Sequence, residues 1–160
     1  MRPLLILLLS LTIGLFGCKQ TLETKQTSPT DEVKKDVPFI SMKKTPCYGK
    51  CPAYLVDIYE NGDVLFNGKS FVDYIGEHTG TITPEDVNRI KEKIHAINFF
   101  ELEDKYDSNV TDFPSCILDV NLDGKTKSIL DRVGGPKELK ELENLIHELV
   151  LNSSLTKVEK

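Results

Sequence analysis

A change of hydrophobic period at Thr83-Pro84 constrains this chain most. Before it, apolar residues alternate with polar ones, the two-residue repeat of a strand. In residues 53–59, Tyr54, Val56 and Ile58 fall on one face, and Leu55, Asp57 and Tyr59 on the other. Asn61-Gly62 follows and then Val64-Leu65-Phe66. Asn-Gly between two such runs is the strongest short-range hairpin signal. Asn67-Gly68 reads as a further turn, and residues 71–75 and 77–82 as strand, with a bend at Gly76. After the switch, Val87, Ile90, Ile94 and Ile97 recur at helical spacing. Thr83 is placed to cap, Pro84 suits the first helical position, and Glu85 and Asp86 meet the positive end of the helix dipole. Ile82 and Val87 are spaced as a hydrophobic staple.

The second half repeats the plan. Residues 103–114 read as a polar loop, Cys116 to Leu122 as a strand, Asp123-Gly124 as a tight turn and Lys127 to Val133 as the returning strand. Gly134-Gly135-Pro136 opens a second helix, whose inner face is Leu139, Leu142, Leu145, Ile146 and Leu149. With a short strand at residues 39–42, the order is ββββαββα. This predicts an α+β domain: a largely antiparallel sheet of about six strands with two helices packed on one face.

The amino terminus has a different character. Arg2 precedes an apolar run over residues 4–16, and Leu15-Phe16-Gly17-Cys18 closes it. A charged start, a short apolar stretch and a small residue describe a secretory leader. A cysteine directly after the small residue resembles the lipobox of bacterial lipoproteins. That resemblance implies cleavage after residue 17, acyl chains on Cys18, and a cell-envelope location. Where the cell has two membranes, the outer is expected rather than the inner. The alternatives are a plain leader with a chance cysteine or an uncleaved anchor. Each buried acyl methylene contributes about 0.8 kcal/mol, and stable anchoring takes two or more chains.

Residues 18–37 are polar and aperiodic, the composition of a disordered tether. A coil of this length spans about 25 Å on average. The folded domain is expected over residues 38–152, with a polar tail over 153–160. Without residues 1–17 the chain has 19 basic and 25 acidic residues. That acidic balance argues against a nucleic-acid partner, whose binders present basic faces.

Three cysteines remain beyond Cys18. Cys47 and Cys51 are close in sequence and are the expected disulfide in an oxidising envelope. A redox-active pair is the alternative, although such pairs usually have two intervening residues and start a helix. Zinc would need a second ligand pair at matching spacing, so no metal and no cofactor are expected. Cys116 falls among apolar residues and reads as a small core hydrophobe. His78 lies between Gly76 and Gly80, as a surface or locally bonded side chain or as a ligand. His147, one turn after Glu143, reads as half of a helix-surface pair. Asp104, Asp107 and Asp112 share a loop without the spacing of a calcium site. No nucleophile–base set or phosphate loop is present, so an enzyme is not expected.

Thr45-Pro-Cys-Tyr-Gly-Lys-Cys-Pro-Ala-Tyr54, the Asn61-Gly62 hairpin, Gly76-Glu-His-Thr-Gly80, Phe99-Phe100-Glu-Leu102, Tyr106 and Thr111-Asp-Phe-Pro114 together resemble a bacterial family of uncharacterised domains, DUF6438. The resemblance covers about residues 38–150 and carries no activity with it. Many members look secreted or lipid-anchored. The combined reading is a lipid-anchored, non-enzymatic binding or interaction domain. Its partner would be an envelope protein or a small ligand. The alternative is a thiol–disulfide protein using Cys47 and Cys51. Tyr48, Lys50, His78, Tyr106 and Asp112 are the candidate binding surface.

Overall fold

The computed structural model describes residues 37–109 and 112–159. The expected leader, Cys18 as the expected acylation site and nearly all of the expected tether lie outside the described residues. Strands β1 (Ile40–Lys44), β2 (Ala53–Ile58), β3 (Asp63–Ser70) and β4 (Gly76–Thr81) precede helix α1 (Pro84–Ala96). A 3-10 turn (Phe99–Glu101), β5 (Lys105–Tyr106), β6 (Cys116–Leu122), β7 (Lys125–Asp131), helix α2 (Lys137–Asn152) and β8 (Thr156–Lys157) follow.

The mixed α+β class is as expected, but the sheet has eight strands rather than about six. Their order is β5-β7-β6-β1-β2-β3-β4-β8. The two extra strands, β5 and β8, hold two residues each and lie at the sheet edges. β5 runs parallel to β7, and β8 pairs antiparallel with β4 through His78 and Thr79. Pairings that short leave no periodic trace in the sequence. They fall in the expected loop and the expected polar tail.

Register places one face of the sheet in the interior. Ile129, Leu118, Met42, Val56, Phe66 and His78 form one cross-strand row. Both helices add to the same core: Val87, Ile90 and Ile94 from α1, and Leu139, Leu142, Ile146 and Val150 from α2. Full burial of such side chains contributes about 1.5–3 kcal/mol each.

The local signals hold where they are chemically complete. Thr83 caps α1 by accepting from the Asp86 amide at 3.1 Å, Pro84 occupies the first turn, and the stapled pair Ile82 and Val87 is buried. Asp123 and Gly124 both have positive φ, as a two-residue hairpin requires. At the first hairpin only Gly62 does. Asn61 instead accepts from the Asp63 amide through its side chain.

Two local readings are corrected. Residues 71–75 form the turn between β3 and β4, not a strand. Asn67-Gly68 continues β3 instead of ending it. Gly68 pairs with both Tyr54 and Gly76, and a Cβ there would overlap the Tyr74 carbonyl. Gly68→Ala is therefore expected to destabilise the domain by about 1–3 kcal/mol. Urea unfolding followed by circular dichroism measures it.

Candidate functional site

Antiparallel pairing gathers several loops at one end of the sheet. The β1–β2 connection carries the cysteines, whose Cα atoms are 5.7 Å apart and whose sulfurs lie at disulfide distance. The β3–β4 turn and the segment before β6 lie at the same end, because Ala53 pairs with Ser70 and Lys44 with Cys116. Val37 and the Asn61-Gly62 hairpin are at the other end. Tyr48 is 96% exposed at the tip of the cysteine loop. Phe71, Ile75 and Phe113 are each more than half exposed at neighbouring tips. Phe71 holds φ at 54°. A bulky side chain rarely adopts that backbone, which stores strain.

The structure separates the residues singled out in the sequence. Tyr48 and Lys50 share the exposed cysteine loop, and Asp112 is exposed beside Phe113. His78 does not join them. It is buried on the core face of β4, near the opposite edge, where it contacts the Gly76 carbonyl at 3.2 Å and the edge of Tyr74. Tyr106 is at the β5 edge, six strand positions from β4, or about 29 Å. Its hydroxyl accepts from the Glu103 amide at 3.1 Å. One patch holding all five residues is excluded by this register.

The cysteine loop and the segment before β6 are nevertheless tied together. The Thr45 amide donates to the Ser115 carbonyl, and the Ser115 amide donates back to Thr45 Oγ1. Arg132 Nε then reaches Ser115 Oγ at 3.0 Å, and Arg132 Nη1 reaches Asp107 at 3.2 Å.

Beneath this end runs a line of polar side chains that sequence reasoning missed. Asp131, Cys116, Lys44 and Tyr54 are cross-strand neighbours on the core face. Lys140, Glu143 and His147 face them from α2, at the spacing that puts them on one side of a helix. Lys140 Nζ lies 2.9 Å from Asp131 and 3.3 Å from Glu143. Asp131 is 1% exposed and Glu143 3%. Both Asp131 oxygens and Glu143 Oε1 lack a well-directed hydrogen bond; the Lys140 ion pairs reach one oxygen of each carboxylate, Asp131 Oδ2 and Glu143 Oε2. Tyr54 Oη and His147 Nδ1 are 2.7 Å apart, so His147 is not the surface partner of Glu143 that its spacing predicts. Burial raises the Tyr54 hydroxyl and the Cys116 thiol, each helped by the Glu143 charge. Burial lowers His147, and nearby Lys44 adds to this. Among the described residues no group of three or more His, Cys, Asp or Glu is placed to hold a metal ion, and no helix is long and apolar enough to cross a membrane.

A family profile described as a domain of unknown function, DUF6438, matches residues 38–150. The chain belongs to the DUF6438 family. No curated protein and no solved structure matches it. Much of the DUF6438 pattern in this chain has a structural use: Thr45 ties two loops, Tyr54 meets His147, and Phe99 fills the core. Gly80 lies so close to Leu155 and Ser154 that a Cβ would come within 2.7 Å and 2.9 Å of them. Thr111 lies outside the described residues.

Burial raises the Glu143 carboxyl, opposed by Lys140. The folded domain therefore takes up this proton at higher pH than the unfolded chain does. Relative to Glu143→Gln, the wild type is expected to gain stability as pH falls from neutral through the folded pKa to the ordinary glutamate range, and nothing further below it. His147 acts in the opposite sense in both proteins, so the difference isolates Glu143. Urea titrations at several pH values measure it. A wild type that instead loses stability relative to Glu143→Gln on acidification would mean that Lys140 and Lys44 hold the carboxylate ionised.

Proposed function

We propose that this chain is a lipid-anchored cell-envelope protein whose DUF6438 domain is a non-enzymatic binding module, contacting an envelope partner through its loop end. The leader and Cys18 support the anchor. The acyl chains on that cysteine would be its link to the membrane. One observation carries the binding role: exposed Tyr48 stands on a disulfide-length loop, beside other exposed apolar tips at the same end. A short closed loop is preorganised, which lowers the ordering cost of association, and tyrosine is favoured at the centre of interfaces.

The thiol–disulfide alternative has less support. Cys47 and Cys51 lie in the connection between two strands and do not open a helix, the position that lowers a thiol pKa in redox-active pairs. Labelling with palmitate is expected to mark the wild type and not Cys18→Ala. Equal labelling removes the anchor. Proximity labelling from the anchored protein is expected to lose neighbours in Tyr48→Ser, at unchanged thermal stability. An unchanged set of neighbours removes the binding role of this loop.

A further inference from the structure

The loop end has a shape and a charge balance that narrow its partner. Tyr48, Phe71, Ile75 and Phe113 are exposed on three separate segments. These segments leave strands β6, β1, β2, β3 and β4, which are consecutive in the sheet. The tips therefore lie along a strip about 20 Å long. Together they offer apolar area on the order of 400–500 Å². The exposed charges beside them are Lys43, Lys50 and Lys69 against Asp73, Glu77 and Asp112. That balance provides no net field to steer either a polyanion or an anionic surface. Separate aromatic and aliphatic tips with interspersed lysines suit the boundary between headgroups and acyl chains, where tyrosine is enriched and lysine stems extend toward water.

We infer that the loop end of this domain, led by Tyr48 and Phe71, inserts into the interface of the bilayer that carries the protein's own anchor. The inference rests on the reading of this end as a contact surface and names the surface contacted. The chain permits it. Val37 enters at the opposite end of the sheet, and the longest strand, the eight residues of β3, spans about 27 Å. From Cys18 to Val37 the backbone reaches up to about 65 Å, enough to let the far end turn onto the same membrane. The helix-free face of the sheet is a competing surface, with a hollow of about 250 Å³ between Leu55, Leu65 and Val158.

The protein contains no tryptophan, so a single introduced indole reports its own surroundings. The full-length anchored protein is reconstituted in vesicles containing brominated phospholipid, as Tyr48→Trp, Phe71→Trp, Leu65→Trp or Glu60→Trp. Leu65 marks the helix-free face and Glu60 the opposite end. Emission of Tyr48→Trp and Phe71→Trp is expected to shift to the blue and to be quenched, with Leu65→Trp and Glu60→Trp unaffected. The quenching is expected to persist when anionic lipid replaces neutral lipid and when salt is raised. Absence of quenching at both loop positions overturns the inference, as does equal quenching at all four or quenching at Leu65→Trp alone. Loss of proximity-labelled neighbours in Tyr48→Ser without lipid quenching would keep the contact surface and reject the bilayer as its partner. Failure of both rejects the surface itself.

Discussion

Strand β1 is the constraint on which the rest of the sheet depends. It pairs with β2 on one side and β6 on the other over all five of its residues. Among the described residues, the first four-strand block pairs with the later β6–β7 hairpin only through it. Met42 sits between Val56 and Leu118 in the register, and Ile40 between Ile58 and Val120. A one-residue slip of β1 would turn Ile40 and Met42 outward and Ser41 and Lys43 inward on both neighbours at once. The same register brings the cysteine loop beside the segment that precedes β6. The loop end is thus a consequence of the central pairing, and Thr45, Ser115 and Arg132 secure it afterwards.

The polar line under that end shows what the packing cost. Two carboxylates are buried with one half-exposed lysine between them. Buried ion pairs often gain little net stability, because desolvation offsets their attraction, while removing one partner leaves an uncompensated charge. The line also joins elements distant in sequence, β1, β2, β6, β7 and α2. Its ion pairs and, at the far end of the line, the Tyr54–His147 contact connect α2 to the strands that meet at the cysteine end.

How much was legible depended on the range of the signal. The α1 cap, the staple and the Asp123-Gly124 hairpin are complete within a few residues, and each forms as its sequence indicates. Asn67-Gly68 carries the same two letters as the real turn at Asn61-Gly62, yet it lies inside β3. There glycine answers a close approach of the Tyr74 backbone, a contact made only in the folded chain. Glu143 occupies a helical position next to Leu142, and nothing in its own neighbourhood foretells burial. Its partners on β6 and β7 arrive through the sheet.

The two periods, the short cysteine loop and each motif of the family pattern are properties of local order, and so are the signals read as a leader and as an acylation site at Cys18. The sequence alone therefore determined the periods, the loop and the motifs, because each rests on residues adjacent or one helical turn apart. Sheet order, the edge strands β5 and β8, the burial of His78 and its separation from Tyr106 were decided only by tertiary structure. So was the gathering of Tyr48, Phe71, Ile75 and Phe113 at one end. The physical reason is that these depend on which strands pair and in what register. That choice depends on how the apolar faces of all the strands and helices are buried together, and no single segment contains it.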